Sequence, residues 1–329
     1  MKNLVPLIIT LGFIYSSGLA QEQTYAEKLG FPKGKKVLIL HLDDIGMSWD
    51  SNQGVLKAME KGVANSCSVM MPCPWVPNFV HYLKNHPNID AGLHLTLTSE
   101  WEEYRWGPLS GQQAVPGLTD EEGAMYPSVE DVVKHASADE VEKEIRAQLQ
   151  RAKTMGFIPT HMDSHMGTLF ASPEFLQRYI KVGIENQIPV MFPGGHDTMI
   201  GSSASPELKT QMQTLGKTIW ASGLPVLDDL HNVSYEFHYT AEMKTDQAIQ
   251  QFATSQYIKT IKELKPGLTM VIMHCSAPSE IFQYITESGT TRKGDLLAMT
   301  DPVFKKFLSD EEIILTTWRE VKERRDKAK

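Results

Sequence analysis

Four short stretches of the 329-residue chain carry histidine and aspartate at spacings that suit hydrolysis: His41-Leu42-Asp43-Asp44, Gly92-Leu93-His94, His161-Met162-Asp163-Ser164-His165 and Met273-His274. Adjacent carboxylates such as Asp43 and Asp44 repel when both are ionised, so the pair implies a cation or a shared proton beside it. One carboxylate with His94 and His165 makes an N,N,O donor set with positions left open for water. Such a set suits zinc and related transition metals, or magnesium if more waters complete the shell. One divalent ion held there would acidify water and polarise a carbonyl, leaving the second carboxylate free to act as a base.

Each stretch sits at the end of a strand-like run. Such runs are predicted at 37–42, 66–71, 89–95, 159–163, 188–192, 224–227, 268–273 and 313–316. Helical patterns separate many of them: 51–61, the spacing of Val76, Phe79, Val80 and Leu83, the capping box of Ser137 and Glu140 followed by Val141, Ile145, Leu149 and Ala152, then 172–187 and 242–264. Alternation of this kind predicts an α/β fold, an irregular, TIM-barrel-like (β/α) barrel of seven or eight largely parallel strands. An open doubly wound sheet competes, but Asp43-Asp44-Ile45-Gly46 stands where its Gly-rich phosphate loop should follow the first strand.

In a parallel barrel the carboxyl ends of all strands share one face, where the four stretches would meet. Successive strand residues face opposite sides. Asp43 and Asp44 therefore address one centre only if the strand ends there, and Gly46 supports a sharp turn at that place. Residues 99–136 are too many for a simple connection and read as a functional loop.

Composition narrows the class. With 41% hydrophobic and 22% charged residues the chain is neither disordered nor fibrous, and 40 acidic against 32 basic side chains argue against a nucleic-acid partner. Lys2, an apolar run over 4–14 and small residues up to Ala20 read as a signal peptide, residues 1–20, because the run is shorter than the roughly 20 residues a bilayer span needs. The expectation is an exported protein, periplasmic or secreted, whose residues 21–329 form one barrel domain without an integral membrane span. A homodimer is left open. Cys67, Cys73 and Cys275 lack thiol-ligand spacing and read as small buried hydrophobes, although Cys67 and Cys73 are close enough in sequence to pair.

The motifs Leu42-Asp43-Asp44-Ile45-Gly46, Gly92-Leu93-His94-Leu95-Thr96-Leu97 and Thr160-His161-Met162-Asp163-Ser164-His165, in that order, resemble those of the YdjC-like carbohydrate deacetylases, a group that includes chitooligosaccharide deacetylases. The resemblance covers about residues 36–275. It implies an irregular (β/α) barrel and metal-dependent removal of the acetyl group from an N-acetylated sugar or oligosaccharide by attack of a metal-bound water. By the same resemblance Asp44, His94 and His165 are metal ligands, Asp43 is the general base, His274 the general acid, and His161 and Asp163 orient the ligands. Departures from the pattern at His41, at 166–169 and at Cys275 touch the substrate shell and no matched ligand. A metal hydrolase of another ester or amide, or a sugar-binding protein on the same fold, are the competing functions.

Further residues are weaker candidates. His196, and Asp229 in the run Asp228-Asp229-Leu230-His231, are expected at strand ends where they could line the pocket. Trp101 and Trp106, in the long loop, are expected to stack on sugar rings, whereas Trp75 reads as ordinary packing.

Overall fold

The structure is a computed structural model describing residues 23–199 and 204–328, so the expected signal peptide lies outside the described residues. Among the described residues seven strands are formed: β1 (Lys36–Ile45), β2 (Ser66–Val69), β3 (Ala91–Leu95), β4 (Met162–Ser164), β5 (Asp229–His231), β6 (Gly267–Met273) and β7 (Ile314–Leu315). Every pairing is parallel, in the order β4-β3-β2-β1-β6-β5, with β7 beside the first half of β1. The gap between β4 and β5 is spanned by residues 188–193, through single bridges of Met162 to Val190 and Pro193 to Leu227. The sheet thus curls into an irregular barrel of parallel strands, as expected. The strand predicted at 188–192 is reduced to these bridges because Pro189 and Pro193 have no N–H to donate to a ladder.

Eleven helices surround the strands among the described residues: α1 (Tyr25–Lys28), α2 (Trp49–Lys61), α3 (Val76–Asn85), α4 (Val129–His135), α5 (Ala138–Thr154), α6 (Pro173–Asn186), α7 (Pro206–Ala221), α8 (Asp246–Glu263), α9 (Gly289–Met299), α10 (Pro302–Asp310) and α11 (Trp318–Lys327). The capping box expected at Ser137 and Glu140 is formed at the start of α5. No helix among the described residues is long and apolar enough to cross a membrane. Cys67, Cys73 and Cys275 are free and buried.

The period of two along the strands divides the apolar residues into two layers. Leu38, Leu40, Leu42, Val69, Leu93, Leu95, Val271 and Met273 pack outward against the helices. Val37, Ile39, Leu268, Met270 and Ile272 form an inner cluster with Phe31 and Trp318, which close the lower end of the barrel. By the same alternation His41 and Asp43 follow Val37 and Ile39 on the inner side, so the lumen changes from apolar to polar toward its upper end. At the boundary the Trp318 ring stacks on His161, with centroids 5.2 Å apart and planes 18° from parallel.

Trp318 is fully buried in this plug, so Trp318→Ala is expected to cost about 3–5 kcal/mol in chemical denaturation. Ile158→Ala, at a residue 82% exposed, should stay within about 0.5 kcal/mol. A Trp318 variant as stable as the parent would contradict this account of the lumen.

Candidate active site

The aspartate pair is brought to one centre by an irregularity in β1. The strand runs on to Ile45, contrary to the expectation that it ends at the pair, and its register against β2 slips between Leu42 and Ile45. Asp44 takes a left-handed conformation, φ 65°. A bulge of this kind lets two consecutive side chains reach the same side of a sheet. Gly46 follows at φ 86°, where an added Cβ would meet Val76 at 2.5 Å.

Asp44 Oδ1 lies 3.2 Å from His94 Nε2 and 3.4 Å from His165 Nδ1, and the two ring nitrogens are 3.1 Å apart. Donors about 2.0–2.1 Å from a tetrahedral ion stand roughly 3.3 Å from one another, so the three atoms fit one divalent cation. Asp44 Oδ1 is buried and makes no hydrogen bond, as a ligand atom kept for a cation would. Asp44, His94 and His165 could therefore hold a metal ion.

Each of these groups is oriented from behind. His94 Nδ1 is 2.6 Å from Asp163 Oδ1, and His165 Nε2 is 3.0 Å from Glu100 Oε2. A carboxylate on the far nitrogen fixes the ring and raises its basicity. Arg292 of α9 donates from Nη1 to Asp44 Oδ2 at 2.7 Å. Burial would raise the Asp44 pKa, but the Arg292 charge and the two histidines hold it well below the usual carboxylate range. Burial would lower both histidines. Asp43 and Asp163 nevertheless hold His94 well above its ordinary value, and Glu100 and Asp44 bring His165 to about 9. The acidic surroundings thus demand positive charge at this point, which protons or a cation can supply.

Asp43 stands beside the donor set. Its Oδ1 lies 3.1 Å from His41 Nε2 and accepts from Ser68 Oγ at 3.3 Å, while Oδ2 is 3.8 Å from His94 Nε2 and 3.9 Å from His274 Nε2. His41 bridges Asp43 to Asp163, whose Oδ2 is 2.9 Å away. Burial works against charge on His41, yet the two aspartates raise its pKa to about 9. His161 lies deeper, 3.5 Å from Asp163 Oδ2, with its ring against Gly92, where a Cβ would come within 2.5 Å. It supports the network from below. His274 is held by its backbone N–H, which donates to Asp295 Oδ2 at 2.9 Å, and burial together with Arg292 lowers its pKa to about 4.

A cavity of about 610 Å³ opens above these groups and is lined by Asp43, Asp44, His94, His165 and His274, with Trp101 and Tyr235 among its walls. Trp106 does not join it. This tryptophan is buried, donates from its indole N–H to Thr98 O at 3.0 Å and backs Trp101 edge to face at 5.5 Å. His196 and Asp229 also lie elsewhere, His196 Nδ1 being 3.4 Å from Asp229 Oδ2 beside His231 and Thr198. The reason is register: Asp229 opens β5 and pairs with Thr269, which pairs with Leu38, so it sits at an amino end in the lower half of the barrel and not at a carboxyl end. Glu100 and Arg292, which contact the donor residues, escaped the sequence reading. Nothing in their spacing marked them, although Glu100 opens the loop singled out as functional.

Fold and site together define a parallel (β/α) barrel carrying a buried two-histidine, one-carboxylate donor set beside a second carboxylate at its upper face. The chain belongs to the YdjC-like family, whose model, described as YdjC-like protein, matches residues 37–310. It is 29% identical over 298 residues to a carbohydrate deacetylase of Thermus thermophilus, covering 90% of this chain and 97% of that one. It is 24% identical over 283 residues to a carbohydrate deacetylase of Thermoanaerobacter pseudethanolicus, covering 86% and 98%. Among solved structures, an Enterococcus faecalis protein named for cellobiose-phosphate cleavage shares the fold, with a TM-score of 0.68 at 19% identity over 87% of this chain and 99% of that one.

The carboxylates behind the histidines give a test of the donor set. Asp163→Asn and Glu100→Gln should each weaken divalent-metal binding about 10–100-fold in chelator competition. Asp229→Asn should leave it unchanged, and equal affinity across all three variants would contradict the assignment.

Proposed function

We propose that the protein is an exported, metal-dependent carbohydrate deacetylase that hydrolyses the acetamide of N-acetylated sugars. The observation that carries this reading is the second carboxylate: Asp43 faces the same cavity as the donor set formed by Asp44, His94 and His165. The near full-length relatives named carbohydrate deacetylases support the substrate class. The pattern of Lys2, the apolar run over 4–14 and the small residues up to Ala20 supports the localisation.

Asp44, His94 and His165 would hold the cation, and Asp163, Glu100 and Arg292 keep those three side chains in place. A divalent ion so held supplies a Lewis acid that polarises the acetamide carbonyl and makes water easier to deprotonate. Asp43 takes the proton of the attacking water. Its Oδ1 is tied to His41 and Ser68, which leaves Oδ2 turned toward His94 and His274. His274 delivers a proton to the departing amine. Burial disfavours a resident proton on His274, and its Nε2 stands 3.9 Å from Asp43 Oδ2, a gap that one bridging water spans, so the proton taken up by Asp43 reaches the leaving amine by way of that water and His274. Trp101, half-buried in the cavity wall, offers a ring face to the apolar side of a sugar.

Acetate release from N-acetylated mono- and oligosaccharides, with divalent metal added, tests the reading. Asp43→Asn should lower kcat by about 10²–10⁴-fold, the usual share of a general base, while metal binding persists. No acetate from any such sugar with metal-loaded protein would overturn the deacetylase reading. Undiminished turnover by Asp43→Asn would overturn the role of Asp43.

A further inference from the structure

A second cavity, of about 660 Å³, lies on the same face of the barrel and uses none of the groups described above. Its walls come from the segments that follow four strands: Trp49 after β1, Trp75 after β2, Tyr104 in the loop after β3, and Ile281 and Tyr284 after β6. Both cavities fall in the range of roughly 300–1,000 Å³ usual for small-molecule sites. Trp75, expected to be packed, is 41% exposed, Trp49 is 45% exposed and Tyr284 70% exposed. A cluster of large exposed aromatics is costly in water and marks a binding surface.

The cleft is held firmly open. The Trp49 and Trp75 rings lie 5.4 Å apart with planes at 56°, forming a V. The Trp75 backbone donates to Gly46 O at 3.0 Å and accepts from Asn52 Nδ2 at 3.1 Å. Tyr104 donates to Met47 O, and Asp50 Oδ1 accepts from the Ser279 N–H at 2.6 Å, fixing the opposite wall to α2. None of these bonds is made by an indole ring, and part of each ring stays open to solvent beside its neighbour.

The two cavities also share their dividing wall. Trp101 lines the first and Tyr104 the second, each packed edge to face on the buried Trp106, at 5.5 and 5.9 Å. The segment after β6 divides likewise, with Ile285 on one side and Thr286 on the other. A linear ligand that fills the first cavity therefore meets the second on crossing one aromatic ridge. Its rim carries the exposed carboxylate of Glu103, an acceptor for hydroxyls or for the ammonium of a deacetylated amino sugar.

We infer that the cleft between Trp49, Trp75, Tyr104 and Tyr284 is a second sugar-binding subsite, which takes the neighbouring pyranose ring of an oligosaccharide whose acetylated residue occupies the reaction cavity. The inference rests on the deacetylase reading and names its substrate class as oligosaccharides. A concave V of ring faces with a carboxylate at its rim fits the apolar face and hydroxyl edge of a pyranose better than a flat protein surface, which needs an extended patch of about 1,000 Å² or more.

The test uses N-acetylglucosamine, its β-1,4-linked tetramer and the fully deacetylated tetramer. Wild type should favour the acetylated tetramer over the monomer in kcat/KM. Trp49→Ala and Trp75→Ala should each reduce that preference about tenfold, the equivalent of roughly 1.4 kcal/mol for one lost stacking face. They should weaken binding of the deacetylated tetramer, followed by calorimetry, to the same degree. Melting curves check folding, and Trp75→Phe, which keeps a ring face, should restore part of the loss. Folded variants with undiminished tetramer preference and binding would overturn the subsite. So would loss of a wild-type dimer on Trp75→Ala in sedimentation with tetramer binding intact, since the cleft would then be a protein contact. No acetate release from either acetylated sugar, with tetramer binding still dependent on Trp75, would remove the deacetylase reading and leave the subsite standing.

Discussion

Asp43, Asp44 and Asp163 are almost wholly buried within reach of the same histidines, and burying an ionised carboxylate is expensive unless it is paired and hydrogen-bonded. Arg292 answers one oxygen of Asp44 and His41 is shared by Asp43 and Asp163. What remains unanswered is Asp44 Oδ1, with the near nitrogens of His94 and His165 around it. The arrangement is stable only if that point receives positive charge. Protons on the two histidines or one bound cation can supply it, and a cation would engage all three donors at once.

The rest of the fold supplies the means of concentrating this charge. Parallel pairing brings the carboxyl ends of β1, β3, β4 and β6 to one end of the barrel, and alternation along each strand turns every second residue inward. Gly92 leaves room for the His161 ring, Trp318 seals the lumen beneath it, and the bulge at Asp44 adds the carboxylate that regular alternation would have turned outward. The segment from Glu100 to Trp106 then ties the site to its surroundings, since Glu100 orients His165 while Trp101 and Tyr104 each wall one of the two cavities.

Much of this was legible in the chain because strand periodicity and apolar runs are local signals. The strands that carry His41, His94 and Asp163, the strand that His274 follows, and α5 with its capping box, follow from such patterns. Other features depend on long-range geometry. α7 went unseen because it buries little beyond Gly216 and Ile219, and Thr210, Thr214 and Thr218 bond back to their own helix. α9 buries Arg292 and Asp295 alongside Leu296, Ala298 and Met299, so charged residues interrupt the apolar spacing of its inner face. No pattern separates Trp101 from Trp106 in an irregular loop, and only the pairing of β5 with β6 reveals that Asp229 stands at the amino end of its strand, away from the upper face. Arg292 is one cation among 32, and only the fold puts it against Asp44.

Anomalous diffraction from crystals of the zinc-loaded protein reads directly where a cation binds. It should show a single strong peak with Asp44 Oδ1, His94 Nε2 and His165 Nδ1 about 2.0–2.2 Å away. A peak placed instead among His196, Asp229 and His231, or none at the barrel's upper end under saturating metal, would contradict the central claim.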